Sequence, residues 1–222
     1  MGFNIAIDGP AGAGKSTIAK EVAKRLSFIY VDTGAMYRAI GLYLLLENVD
    51  CEDEHAIETA IQGIQIAISY QNGEQQVFLN GENVSKQIRT EDVGNMASKT
   101  SKYPAVREKL LELQRNLAAS ADVLMDGRDI GTCILPNADL KIYLTANPRV
   151  RAKRRYLELT AKGISCNIEE IERDIIERDL RDTTRVIAPL KKAEDAVEVD
   201  TSDMTIEEVV DKITSMAISR RR

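Results

Sequence analysis

The chain has 222 residues, 44% of them hydrophobic, and a formal net charge of −5 at pH 7. That length suits one α/β domain or one domain with an insertion, with enough apolar residues for a sizeable core. The acidic balance, the lack of tryptophan and an aromatic content of 5% argue against a surface that coats nucleic acid or stacks single-stranded bases.

Phe3-Asn4-Ile5-Ala6-Ile7 reads as a short apolar strand that runs through Asp8 into Gly9-Pro10-Ala11-Gly12-Ala13-Gly14-Lys15-Ser16-Thr17. This is a complete G-x-x-x-x-G-K-[ST] phosphate-binding loop, set between a strand and a helix. Its glycines let backbone N–H groups turn onto phosphate oxygens, and the positive end of the next helix adds to the field. Lys15 can reach the β- and γ-phosphates of a nucleoside triphosphate, and the Ser16 hydroxyl suits Mg²⁺. Residues 18–26 carry apolar positions at helical spacing, 28–31 form a β-rich run, and 35–47 and 54–62 read as helices. Strand–helix alternation predicts a central parallel sheet.

The rhythm breaks at 64–70, which alternates in polarity. Asn72-Gly73 is a hairpin turn, 76–79 its second strand, and Asn80-Gly81 repeats the turn signal. An antiparallel insertion is expected at about 64–86. Helices are expected at 91–99 and 104–119, and core strands at 123–126 and 140–144. Pro148 opens a basic helix that runs to residue 161 before Gly163. A charged amphipathic helix at 168–180 and a strand at 197–200 follow, and Thr205 caps a last helix. Ser219-Arg220-Arg221-Arg222 reads as a solvated tail, and His55, the sole histidine, as a surface helix residue.

Four further segments carry chemistry. Asp32-Thr33-Gly34-Ala35-Met36-Tyr37-Arg38 lies at the carboxyl end of the second strand, where open parallel sheets gather ligands. Asp126-Gly127-Arg128-Asp129 follows another strand: Asp126 suits the carboxylate that organises Mg²⁺ and its waters, and the fork of Arg128 suits phosphate. In the basic helix, Arg151 and Arg155 share a face and could be brought over a transferring phosphoryl group, with Lys162-Gly163 as a break that lets the segment move. Arg178, Asp182 and Arg185, at i, i+4 and i+7, would share a helical face able to grip phosphate and a sugar hydroxyl. Solvated charge and structural ion pairing are the plain alternatives for these last two segments.

Arg38, Arg128, Arg178 and Arg185 exceed the cations that one triphosphate with Mg²⁺ needs, which points to a second anionic substrate and direct in-line transfer. Cys51, Cys133 and Cys166 are odd in number and form no C-x-x-C pair, so neither a disulfide framework nor a zinc site is indicated. No secretory leader is visible, and the longest apolar run, near 39–46, is far below a membrane span. A cytoplasmic protein is expected.

Over essentially its whole length the chain resembles the bacterial cytidylate kinases of the nucleoside monophosphate kinase group. The resemblance is carried by the phosphate loop, by Asp32 to Arg38, by Ile88-Arg89-Thr90 and Val93 through Ser98, and by Pro104-Ala105-Val106-Arg107. Asp126-Gly127-Arg128-Asp129-Ile130-Gly131-Thr132, Arg178-Asp179 and Arg185-Val186-Ile187-Ala188-Pro189-Leu190 complete it. It implies a single P-loop domain of α/β class over 1–222, three-layered around the parallel sheet, with a monophosphate-binding β insertion at about 64–100 and a helical lid at about 148–165.

The activity it implies is phosphoryl transfer from MgATP to CMP, and to dCMP, by a monomer. ATP would lie on Gly9, Pro10, Ala11, Gly12, Ala13, Gly14, Lys15, Ser16 and Thr17, with Mg²⁺ held by Ser16 and, through water, Asp126. Thr33 and Asp182 would contact the ribose, and Ser98, Arg107 and Asp129 would read cytosine. Arg38, Arg107, Arg128, Arg178 and Arg185 would surround the acceptor phosphate, and Lys15, Arg128, Arg178, Arg151 and Arg155 would serve catalysis. Threonine stands at position 33 where serine is commoner, and Ser16 where some relatives carry glycine. Kinases of shikimate, gluconate or dephospho-coenzyme A share the loop and sheet but not the insertion with the late Arg-Asp-Arg face. A guanine-nucleotide switch would need N-K-x-D and D-x-x-G, and the sequence holds neither.

Overall fold

The structure, a computed structural model, describes residues 2–221. The chain runs β1 (Asn4–Asp8), α1 (Lys15–Leu26), β2 (Ile29–Asp32), α2 (Thr33–Leu46) and α3 (Glu54–Ile61). Three short strands follow, β3 (Ile66–Gln71), β4 (Glu74–Leu79) and β5 (Glu82–Asn83), then a 3₁₀ turn at Gln87–Arg89. Next come α4 (Glu91–Thr100), α5 (Pro104–Ser120), β6 (Val123–Gly127), a π-helical turn at Ile130–Ile134 and β7 (Leu140–Thr145). The last part is α6 (Pro148–Ala161), α7 (Ile168–Thr184), β8 (Val197–Asp200) and α8 (Ile206–Arg221).

Five parallel strands form the central sheet in the order β2-β6-β1-β7-β8. Successive strand residues point to opposite faces, so each strand feeds two cores. Ile5, Ile7 and Leu124 pack with Ile18 and Val22 of α1 and with Val209 and Ile213 of α8. Ala6, Val123 and Met125 pack on the other side with Met36, Ile40 and Leu44 of α2 and with Val106 and Leu110 of α5. The result is the three-layer α/β fold that the strand–helix rhythm predicts. The loops after β1, β2 and β6 meet at one edge of this sheet, close to where strand order reverses, the usual ligand crevice.

The antiparallel strands pair in the order β3-β4-β5. Asn72 and Gly73 have φ of 53° and 79°, the left-handed pair that a tight two-residue hairpin turn demands. Val77, Leu79, Val84 and Ile88 of this segment pack into the same apolar cluster as α2 and α5. The base of the insertion is therefore continuous with the main core.

Some expectations are corrected. α7 runs to Thr184, four residues past the end of the apolar pattern, because its last turn is bonded through polar side chains. Arg185 is extended, with φ −60° and ψ 140°, so it does not share a helical face with Arg178 and Asp182. The basic end of α8 is not simply solvated. Arg220 donates to the Asp139 carbonyl, and Arg221 pairs with Asp122 and lies 5.3 Å from the Phe28 ring centroid. Arg222 lies outside the described residues. Thr205 caps α8 through a reciprocal pair: its Oγ1 accepts from Glu208 N–H while the Glu208 carboxylate accepts from Thr205 N–H. His55 is exposed on α3.

Candidate active site

The phosphate loop closes on itself in a way that leaves backbone donors free. Gly14, with φ 84°, turns the chain into α1, whose first turn carries no acidic residue and no side-chain cap. The first N–H groups of a helix lack intrahelical acceptors, so this end is available to an anion. Lys15 is buried and donates to the Pro10 carbonyl at 2.7 Å. Burial, then the neighbouring Arg128, hold its ammonium well below the usual lysine pKa. Ser16 Oγ donates to Asp126 Oδ2 at 2.8 Å, and Tyr30 Oη to Asp126 Oδ1 at 3.1 Å. Burial and the nearby Asp32 carboxylate push Asp126 up to about 6. A hydroxyl beside a carboxylate with no direct ion-pair partner among the described residues suits a hard, oxygen-seeking cation.

The loop opens onto a cavity of about 720 Å³, within the range of small-molecule sites. Ala11, Gly12, Gly14, Lys15, Ser16 and Thr17 line it, whereas Gly9, Pro10 and Ala13 form the buried back of the loop. A Cβ at Gly9 would fall 1.9 Å from the Leu144 carbonyl, so only glycine lets the loop leave β1 against β7. The opposite wall contains Thr33, Arg38, Ser98, Arg107, Asp126, Arg128, Asp129, Arg178, Asp182 and Arg185. Every acceptor-side residue named from the sequence therefore faces the same space.

That wall divides into two clusters. In the first, Arg38 pairs with Asp32 at 2.9 Å and Arg128 Nε with Asp182 at 2.8 Å. Arg178 sits beside them, and its buried Nε meets no acceptor among the described residues. Burial, then Arg128, push its guanidinium down to about 10. Thr33 Oγ1 donates to the Asp126 carbonyl at 2.7 Å. In the second cluster, buried Asp129 pairs with Arg107 and, at 3.4 Å, with Arg185. Burial raises its carboxyl even though both arginines oppose the shift. Arg107 also stacks 5.7 Å from the Tyr37 centroid, and Arg185 Nη1 donates to Ser101 Oγ at 3.2 Å. Ser98 Oγ is buried without a partner among the described residues. Arg107 and Arg185 thus belong with Asp129 in this structure, while Arg38, Arg128 and Arg178 form a separate cationic group.

Asp8 ties the two walls together. Its carboxylate accepts from Ile130 N–H at 2.7 Å and Gly131 N–H at 2.8 Å, immediately after Arg128 and Asp129. Burial pushes this carboxyl up to about 6 against those hydrogen bonds. The sequence offered no signal for the link, because it joins residues 122 positions apart.

Arg151 and Arg155 have unlike surroundings. Arg151 is 3% exposed and donates to the Ala146 and Ala11 carbonyls and to Asp179 at 2.6 Å. Arg155 reaches Glu158 at 3.0 Å near the cavity mouth. Beyond the phosphate loop the cavity is lined by Arg154, Thr201, Met204, Thr205, Ile206 and Val209, which sequence reasoning missed. Their one available signal is position: most follow the carboxyl end of β8, the sheet edge that binds ligands. No helix among the described residues is long and apolar enough to cross a membrane, and none of their His, Cys, Asp and Glu side chains form a group of three placed to hold a metal.

The cytidylate kinase family profile matches residues 5–219. A relative from Bacillus cytotoxicus, described as a cytidylate kinase, is 51% identical over 214 residues, covering 96% of this chain and 95% of its own. One from Lactobacillus johnsonii, described likewise, is 50% identical over 99% of this chain and 96% of its own. A solved gluconokinase from Sinorhizobium meliloti shares the fold alone, with a TM-score of 0.50 at 12% identity, over 98% of this chain and 92% of its own. With a family match that spans both walls of the cavity, this chain belongs to the cytidylate kinase family.

Proposed function

We infer that this chain transfers the terminal phosphoryl group of MgATP to CMP and to dCMP, giving CDP or dCDP and ADP. The observation that carries the acceptor half of this reading is Arg178. A half-buried guanidinium whose Nε is buried and meets no acceptor among the described residues, crowded by Arg128 and Arg38, is suited to an anion that completes the cluster.

The geometry supports the following roles. Backbone N–H groups of residues 11–16 cradle the donor phosphates, and Lys15 leaves the Pro10 carbonyl for them. Ser16 directly, and Asp126 through water, would hold Mg²⁺, which when bound would neutralise charge on the phosphate oxygens. Arg38, Arg128 and Arg178 hold the acceptor phosphate. One of its oxygens attacks the γ-phosphorus, that bond forms as the β–γ bridging bond breaks, and the electron pair leaves with ADP. The acceptor oxygen is already ionised, so positioning and charge suffice and no general base is required. Thr33 and Asp182 face the ribose. Ser98, Arg107 and Asp129 face the base, where a carboxylate accepts from the exocyclic amine of cytosine and repels the carbonyl of uracil.

Residues 64–100 serve the acceptor and 148–165 act as the lid, with Arg155 at the mouth. Thr201, Met204, Thr205, Ile206 and Val209, which line the cavity beyond the loop, would receive the donor base. The chain works as a monomer on small molecules, and three free cysteines support a reducing compartment. The test is ADP formation from MgATP with CMP, dCMP, UMP, shikimate and gluconate in turn. CMP and dCMP should drive turnover and the two non-nucleotides should not. Turnover of shikimate or gluconate in their place would replace this reading.

A further inference from the structure

β2 is an edge strand of the central sheet. Alternate residues of an edge strand turn their backbone N–H and C=O groups outward, where nothing in the sheet pairs them. In β2 the outward residues are Tyr30 and Asp32, and both are met by the tip of the inserted hairpin. Tyr70 Oη donates to the Tyr30 carbonyl at 3.2 Å. The Gln75 side-chain amide takes both groups of Asp32: Oε1 accepts from its N–H at 2.8 Å, and Nε2 donates to its carbonyl at 3.1 Å.

Tyr70 and Gln75 stand directly opposite each other across β3 and β4, just below the Asn72-Gly73 turn. Residues 71–74 at the tip are exposed, whereas Val77 and Leu79 at the other end are buried. The insertion is thus anchored by apolar packing at its base and by side-chain hydrogen bonds at its tip. What the tip grips is the start of the acceptor wall. Asp32 caps α2 by accepting from Ala35 N–H at 2.8 Å, and its carboxylate pairs with Arg38. Arg89, also from the insertion, reaches the same carboxylate at 3.3 Å. Thr33 follows at once.

We propose that Tyr70 and Gln75 are positioning residues: together they latch the hairpin tip to the free edge of β2 and so set where Thr33 and Arg38 stand for the nucleoside monophosphate. This rests on the acceptor assignment of the proposed function. The latch consists of side chains at a part-buried edge, so water can replace the lost bonds and the fold survives truncation. Among the described residues neither Tyr70 nor Gln75 bonds to the phosphate loop, which meets β2 one step further on, through Asp126 and Tyr30, so the loss of either latch residue falls mainly on the monophosphate.

Tyr70→Phe and Gln75→Ala test this by separate KM values for CMP and ATP, with hydrogen exchange read at residues 30–38. Misplacing a substrate-holding group by a fraction of an ångström is expected to raise the CMP KM about tenfold in Gln75→Ala and about threefold in Tyr70→Phe, with the ATP KM within about twofold. Amide exchange at 30–38 should rise in both variants. An unchanged CMP KM, or an ATP KM that rises in step with it, overturns the proposal. If Gln75→Ala does not fold, Tyr70→Phe decides by the same criteria. A wild-type chain that ignores CMP counts against the functional reading instead; the exchange measurement then decides the latch, and unchanged protection at 30–38 overturns it.

Discussion

The phosphate loop draws its ligand groups from one stretch, residues 9–17, and mostly from the backbone, whereas the acceptor wall assembles Arg38, Ser98, Arg107, Arg128, Arg178 and Arg185 from widely separated segments. Backbone donors are fixed by the turn that creates them, and they are neutral, so the loop can wait for phosphate at little electrostatic cost. The acceptor wall is different. It packs arginines close enough to lower the proton affinity of Arg178 and Arg185, and it steadies the group with Asp32, Asp129 and Asp182. Any triphosphate satisfies the first arrangement. The second, as proposed here, suits a nucleoside monophosphate, and the fold bears its repulsion whenever that anion is absent.

The largest expected effect is at Lys15, the loop's one charged donor. Lys15→Ala should lower kcat by about a thousandfold or more, because the interaction strengthens as charge develops on the moving phosphoryl group. CMP binding measured by calorimetry should persist. Activity within about threefold of wild type would break the donor assignment. Arg178 sharpens the comparison from the other side. Arg178→Met should cost about a hundredfold in kcat/KM for CMP while ATP affinity changes less than about twofold. It should also raise the melting temperature by about a degree or two, since the repulsion of Arg178 by Arg128 and Arg38 is relieved. A loss of ATP affinity with CMP affinity intact would exchange the two walls.

Asp129→Ala should narrow the CMP:UMP ratio of kcat/KM by about tenfold, the size of one mismatched buried hydrogen bond. Equal damage to both substrates would leave Asp129 as a strut between Arg107 and Arg185. The smallest effect concerns the seam at Asp8. In the folded protein this carboxyl keeps its proton to about 6, against a reference value of 3.8 for the free group. A raised carboxyl favours the fold at low pH, and its contribution is lost as pH rises through that window. Asp8→Asn should therefore remove a downward stability slope of at most about 1.4 kcal/mol per pH unit between about pH 4 and 6. Urea midpoints across that range read it, and parallel wild-type and variant profiles would contradict the burial argument.

What the sequence made legible is what lies close in sequence. The Asn72-Gly73 turn, the Thr205 cap and the phosphate loop each declare themselves within a few residues. The sheet followed from apolar runs that each bury two faces. Long-range polar pairing left no trace of this kind. Nothing near Asp8 announces Ile130, nothing near Gln75 announces Asp32, and nothing near Asp129 announces that Arg107 and Arg185 will hold it. The departure of Arg185 from the α7 face was hidden for the same reason. Helical spacing says which residues could share a face, but the end of α7 is set by polar bonds and by the Leu190 N–H that returns to the Asp182 carbonyl.

Arg151 has a mechanical consequence. Its guanidinium joins three bodies at one buried point: the phosphate loop through Ala11, the exit of β7 through Ala146, and α7 through Asp179. A hinge cannot lie inside a rivet. The root of the α6–α7 hairpin must travel with the phosphate loop unless a desolvated cation gives up its acceptors together, and that is a large cost on every turnover. Any bending of the proposed lid is therefore directed outward from Arg151, along the hairpin that ends at Gly163, where φ is 73° and no neighbour among the described residues lies within 4 Å of where a Cβ would sit. Arg155 and Glu158 lie outward of that root on α6, and Arg151 marks the inner limit of any motion of the proposed lid.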